Sequence, residues 1–262
     1  MEGPHKCVLF VCWVALVAAE LVRFAAAEET IRCRPFAQSG LVSPTPRTEP
    51  QAIDRLKWIN EAVQTQRDDV LFLGDSITQR WDPLLWEQHY ARRGALNAGI
   101  DGDRTENLWW RLANGNLSGP QPKAVVLLIG TNDLGHGRSP EVAAEGIRAI
   151  LVLLRMRLPD TRIVLLGLLP RSESPTAPLR RRVQEVNRLI RSCDDSKHIF
   201  FADIGKDLLD PAGRLTSAIS PDRLHFTTEG YRKLAAQLDP LLVTVPGPVD
   251  DRSVAGQQGR QR

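Results

Sequence analysis

Apolar positions along the chain fall into two kinds of run. Residues 70–73, 95–98, 124–129, 162–168 and 199–202 are short blocks that are apolar at nearly every position, the second being the weakest. Blocks without alternation are the pattern of strands buried on both faces, as in a parallel sheet covered by helices. Between them the apolar residues move to a spacing of three and four. Ile53, Leu56, Ile59 and Val63 form one such series, and Val142, Ile147, Ile150, Leu151 and Leu154 a second. Val183, Val186, Leu189 and Ile190 form a third, and Leu234, Leu238 and Leu241 the last. The second series opens with Ser139 at an N-cap, Pro140 at the first helical position and Glu141 in the first turn, which marks a helix start. Strand and helix alternate from 53 to 243, which predicts a single α/β domain built as a three-layer sandwich with right-handed crossovers.

The ends do not share this pattern. Residues 1–27 carry a weakly basic start, an apolar run from Cys7 to Ala19, and then Ala25-Ala26-Ala27 before Glu28. That is the layout of a secretory signal peptide. The alternative is an uncleaved anchor, although Glu20 and Arg23 leave the run short of the ~20 apolar residues a span requires. Membrane association is expected only if this segment is retained. Residues 28–52 contain Pro35, Pro44, Pro46 and Pro50 and read as a linker or an arm lying on the domain. Residues 244–262, rich in Gly, Gln and charge, read as a disordered tail. Hydrophobic residues make up 42% of the chain and a net charge of +3 is small, so a folded core is expected and nucleic acid is not the expected partner. Cleavage at the Ala run would leave only Cys33 and Cys193, which could pair in an oxidising compartment. Asn116-Leu117-Ser118 is a candidate glycosylation site and agrees with a secreted location.

In an α/β sheet, functional groups gather beyond the carboxyl ends of the strands. After the first block stands Gly74-Asp75-Ser76. After the second comes Gly99-Ile100-Asp101-Gly102-Asp103, and after the third Gly130-Thr131-Asn132-Asp133. Asp222-Arg223-Leu224-His225 precedes the last helix. These are the parts acyl transfer needs. A serine hydroxyl requires a base to take its proton, histidine can serve, and a carboxylate fixes the imidazole tautomer. Ser76, His225 and Asp222 are the candidates. Placed three apart, Asp222 and His225 would share a face on a helical turn. The tetrahedral intermediate requires preorganised donors, for which the Ser76 N–H, the Gly102 N–H and the Asn132 amide are candidates. The histidines have no metal-ligand spacing, so no metal is expected.

Gly74-Asp75-Ser76, Gly102, Gly130-Thr131-Asn132 and Asp222-x-x-His225 resemble, in order, the four blocks of the SGNH (GDSL-like) hydrolases. The resemblance covers roughly residues 53–242. It is strongest to the catalytic subunits of intracellular platelet-activating-factor acetylhydrolase, through Leu96-Asn97-Ala98-Gly99-Ile100, residues 110–115 and residues 166–171. It implies a flavodoxin-like sheet of five parallel strands in the order 2-1-3-4-5, with neither metal nor organic cofactor. The implied activity is that of a serine esterase acting on acetyl or other short acyl esters. Asp101 stands where that relative has glycine, and an inward carboxylate there would alter the electrostatics of the site.

With a secretory start, the expected substrate is a glycan or a small extracellular ester. A phospholipid or platelet-activating-factor-like ester is the alternative, and a catalytically silent binding protein on the same fold is the reading from another class. A homodimer is left open. His136 reads as a solvated loop residue and Arg180-Arg181-Arg182 as a solvated helical face. Trp109 and Trp110 cannot face the same way, so one is expected in the core and the other at the pocket mouth or an interface.

Overall fold

The computed structural model describes residues 43–65 and 69–243, together with Val22, Ile31 and Cys33. The expectations for residues 1–27 and 244–262 otherwise fall outside the described residues.

The five apolar blocks form one sheet. Its strands are β1 (Val70–Gly74), β2 (Ala95–Gly99), β3 (Ala124–Leu128), β4 (Arg162–Leu166) and β5 (Ile199–Ala202). They lie in the order β2-β1-β3-β4-β5 and every pairing is parallel. The flavodoxin-like order is therefore the one found. Each residue of β1 and β3 is buried, as strands covered on both faces must be. The covering helices include α1 (Pro50–Thr65) and, further along the chain, long helices over Pro140–Arg157, Pro178–Ile190 and Thr228–Leu242. Helix α1 opens at Pro50, so the last residues of the expected linker already belong to the domain. No helix among the described residues is long and apolar enough to cross a membrane.

Four short helices were not marked by apolar spacing: α2 (Ser76–Gln79), α3 (Pro83–His89), α4 (Thr105–Arg111) and α5 (Thr131–Gly135). Each has at most two turns, too short to display a period. Helices α2 and α5 lie immediately beyond β1 and β3. The register pairs Gly74 with both Gly99 and Leu128, so the carboxyl ends of three neighbouring strands reach one edge together. Residues 75–76, 100–103 and 130–132 are thereby delivered to the same edge. The long helices become α6 (Pro140–Arg157), α7 (Pro178–Ile190) and α8 (Thr228–Leu242). The Ser139 hydroxyl caps α6 by accepting from Val142 N–H at 3.3 Å.

Two surface expectations are corrected. Arg180 is buried rather than solvated, and its guanidinium donates to the carbonyls of Arg171, Ser172 and Gly213. Arg182 donates to the carbonyls of Leu134 and Arg138, and Arg181 alone of the three is exposed. Five planar donors can satisfy several loop carbonyls at once, which a solvated arginine on a helix face does not do. Asn116 does not suit a glycan. It is buried, its Nδ2 donates to Asn60 Oδ1 at 2.6 Å, and its Oδ1 accepts from buried Arg111. A sugar on Nδ2 would expel the side chain and leave Arg111 short of an acceptor. Trp109 and Trp110 are both half-buried, with Trp109 packed against the core.

Cys33 and Cys193 are joined in a disulfide across 160 residues. Both are buried. In the chain-entropy account a loop of that size contributes up to about 5 kcal/mol.

Candidate active site

Local chemistry explains how Ser76 is presented. Gly74 ends β1 where a Cβ would lie 2.1 Å from Thr78 Oγ1 and 2.5 Å from the Leu128 carbonyl, so only glycine fits. Asp75 then caps α2, its Oδ1 accepting from Ile77 N–H at 2.9 Å. The chain turns into one helical turn with Ser76 at its first position. There the serine N–H has no partner within the helix. Burial pushes the Asp75 carboxyl up to about 7, with Asp103, Asp133 and Asp101 adding in the same direction against the Ile77 hydrogen bond.

His225 arrives from the far end of the chain. Its Nε2 lies 2.9 Å from Ser76 Oγ, and its Nδ1 lies 2.6 Å from Asp222 Oδ2. The Asp222–His225 segment is a turn and not the helical one expected, because Arg223 takes a left-handed φ of 63°. The side chains still meet because Asp222 Oδ1 accepts from the N–H groups of Leu224 and His225, at 2.9 and 2.7 Å. Arg223 N–H donates to Ser220 O and Arg223 O accepts from Ser172 N–H, while its guanidinium is ion-paired with Glu173 at 2.7 Å. Partial burial raises the Asp222 pKa, but the bonds from His225 and Leu224 outweigh it and hold the carboxyl at about 2. Asp222 is thus ionised at neutral pH, Nδ1 carries the proton, and Nε2 is left to accept from the Ser76 hydroxyl. Helix α8 fixes the two loops together: Tyr231 Oη donates to Ile77 O at 2.9 Å and Thr228 Oγ1 to Asp82 at 2.7 Å.

The candidate oxyanion donors share one framework. Gly102 has φ of 78° and its N–H donates to no acceptor among the described residues. Asn132 Nδ2 donates one hydrogen to Asp103 O at 2.9 Å, which leaves its second N–H for another acceptor. Asp133 accepts from Thr105 N–H and Oγ1 at 3.0 and 2.7 Å, tying the Asn132 turn to the start of α4. Asp103 is fully buried and paired with buried Arg111 at 2.7 Å, whose Nη2 donates to Gly74 O at 3.0 Å. Burial raises the Asp103 pKa and Arg111 opposes this most strongly. So one arginine links the ends of β1 and of the Gly102 turn. Asp101, the departure noted above, is ion-paired with Arg80.

Residues 72–233 match the sequence profile of the GDSL-like lipase/acylhydrolase family. The chain belongs to that family. It is a serine ester hydrolase. This GDSL-like hydrolase is 38% identical over 177 residues to the rat platelet-activating factor acetylhydrolase IB subunit alpha2, covering 67% of this chain and 76% of the rat protein. It is 34% identical over 206 residues to the human alpha1 subunit, covering 76% of this chain and 88% of the human protein. A GDSL-like lipase from Bacteroides thetaiotaomicron superposes with a TM-score of 0.63 at 21% identity, covering 76% of this chain and all of that one, which shows a common fold.

Residues that sequence reasoning passed over are Arg47, Arg111 and Asp133, and for Asp103 the buried pairing. Asp103 and Arg111 flank the start and end of α4, but nothing in the pattern shows that they turn inward. A cavity of about 390 Å³ beside the Gly102 turn is lined by Arg47, Glu49, Gln51, Gln79 and Asp101, with Ala52 and Ile100. Apart from the last two its side chains are polar or charged.

Proposed function

We propose that this GDSL-like hydrolase removes acetyl or other short acyl groups through Ser76, His225 and Asp222, by way of an acyl-enzyme. The hydrogen-bonded line Asp222–His225–Ser76 carries this reading. Ser76 Oγ attacks the ester carbonyl while its proton passes to His225 Nε2. The carbonyl π pair moves onto oxygen, where the Ser76 and Gly102 N–H groups and the Asn132 amide would receive it. Collapse breaks the bond to the alcohol oxygen, which takes the proton from His225. Water then repeats the sequence on the acyl-serine. The test is labelling by a fluorophosphonate: wild type is labelled and Ser76→Ala is not. An unlabelled wild type with no turnover of 4-nitrophenyl acetate would favour the silent binding protein.

The proposed setting is the secretory route, with a glycan or small extracellular ester as substrate. The Cys33–Cys193 disulfide supports it, since such bonds persist in oxidising compartments. The relatives named for platelet-activating factor support the second reading, a phospholipid acetyl ester.

Both readings predict a short acyl group. With acetate, butyrate and palmitate esters of one alcohol, kcat/KM is expected to be highest for acetate and at least about 10-fold lower for palmitate, the scale on which a pocket discriminates alkyl length. A higher value for palmitate would reject the short-acyl proposal.

The pH profile has a defined sign. A general base must be unprotonated to accept the Ser76 proton, so kcat/KM is expected to rise with pH. Asp222, held at about 2, adds no limb in the neutral range. Asp75, pushed to about 7, titrates there as well. The rising limb is therefore expected to persist in Asp75→Asn. A flat profile in that variant would assign the limb to the cap of α2.

A further inference from the structure

The segment before α1 supplies a side chain to the Gly102 turn, from outside the span that matches the family profile. Thr45 N–H donates to Glu106 O at 3.3 Å and Asn107 Nδ2 to Thr45 O at 2.9 Å, so the arm is stitched along the start of α4. Two residues on, Arg47 Nη1 donates to Asp101 O at 2.9 Å and lies 3.3 Å from Asp103 Oδ1, while Nε donates to Glu49 at 2.8 Å. Its guanidinium also sits 3.1 Å from where a Gly102 Cβ would be.

The carbonyl of Asp101 and the N–H of Gly102 are two ends of one peptide group. None of the described peptides is cis, so the two dipoles point to opposite sides. A cation bonded to the carbonyl end fixes the plane of that peptide and leaves the N–H directed away from the arm. It also draws electron density toward the carbonyl oxygen, which makes the N–H a stronger donor. We propose that Arg47 is a positioning residue for the oxyanion: it orients and polarises the Asp101–Gly102 peptide whose N–H receives the developing negative charge. This rests on the esterase reading and on Gly102 as a donor. Arg47 itself touches neither the nucleophile nor its base in the structure.

The consequence is selective. The oxygen of the ground-state ester carries little charge, so Arg47 should matter little to binding and more to the barrier. Arg47→Met keeps the apolar stem and removes every donor, and Arg47→Lys keeps a cation with a shorter reach. With 4-nitrophenyl acetate, Arg47→Met is expected to lower kcat about 10-fold, less than the loss of a direct oxyanion donor, with KM within about 2-fold. Trifluoroacetone, which Ser76 would convert to a hemiketal oxyanion with its proton held by His225, should lose affinity by the same factor. Arg47→Lys should fall between Met and wild type on both measures. A folded Arg47→Met with wild-type kcat would overturn the inference. So would a kcat loss in either variant with inhibitor affinity unchanged, since that is the signature of an arm that only braces the fold. If Arg47→Met does not fold, proportional losses in Arg47→Lys carry the proposal and unequal ones overturn it. A wild type labelled at Ser76 but indifferent to Arg47 overturns this inference alone, whereas a wild type that turns over no ester overturns the esterase reading as well.

Discussion

Ser76→Ala is expected to lower kcat by about 10⁶-fold, the scale seen when a hydrolase loses its serine nucleophile. That is about 8 kcal/mol of barrier. The expectation is specific because the hydroxyl meets His225 Nε2 at 2.9 Å and has no second recorded partner among the described residues. Removing it leaves the imidazole with nothing to deprotonate except water. The proposed oxyanion donors would remain, so a trace of hydrolysis above the uncatalysed rate should survive. Stability should barely change. Asp75, not Ser76, caps α2, and alanine is a better helix former than serine. Circular dichroism melting and ester turnover on one preparation provide the check. A variant that keeps more than about 1% of kcat retains far more than a lost nucleophile allows, and would place the nucleophile elsewhere.

Much of this site is legible in the sequence because its parts are local. Gly74-Asp75-Ser76 and Gly130-Thr131-Asn132 each follow a run apolar at every position, and runs that short, closed by glycine, read as strands buried on both faces. Their carboxyl ends must then lie along one edge. What stays hidden is non-local or stereochemical. The left-handed Arg223 has its partners Ser172 and Glu173 about fifty residues away in sequence, and spacing alone cannot tell the turn that joins Asp222 to His225 from a helical one. Arg180 and Asn116 look like surface residues by composition. They are buried because carbonyls of other loops, in one case, and Arg111 with Asn60, in the other, meet their polar atoms. Arg47 lies in a proline-rich stretch with no period. Besides neighbouring Glu49, its partners are a backbone carbonyl and a carboxylate on a turn more than fifty residues on.

Asn132→Ala is expected to lower kcat by about 10²–10³-fold, or roughly 3–4 kcal/mol, the usual loss for one oxyanion donor. The amide is already held. One hydrogen of Nδ2 is bound to Asp103 O at 2.9 Å, and Asp103 is in turn held by buried Arg111. The second hydrogen therefore has a fixed direction before substrate arrives, and no reorganisation is needed when charge develops on the ester oxygen. KM should change little, because a neutral carbonyl attracts that hydrogen weakly. The same substitution also removes the bond to Asp103 O, which should cost about 1 kcal/mol of stability. The two effects separate the roles. If Asn132 only secures the turn after β3, the melting temperature falls while kcat per folded molecule stays near wild type. If it receives the oxyanion, kcat falls by orders of magnitude at temperatures where the variant is fully folded, and trifluoroacetone loses affinity in parallel. Measuring kcat, KM, inhibitor affinity and melting temperature on one Asn132→Ala preparation decides between them, and a destabilised variant with near-normal kcat would remove Asn132 from the oxyanion site.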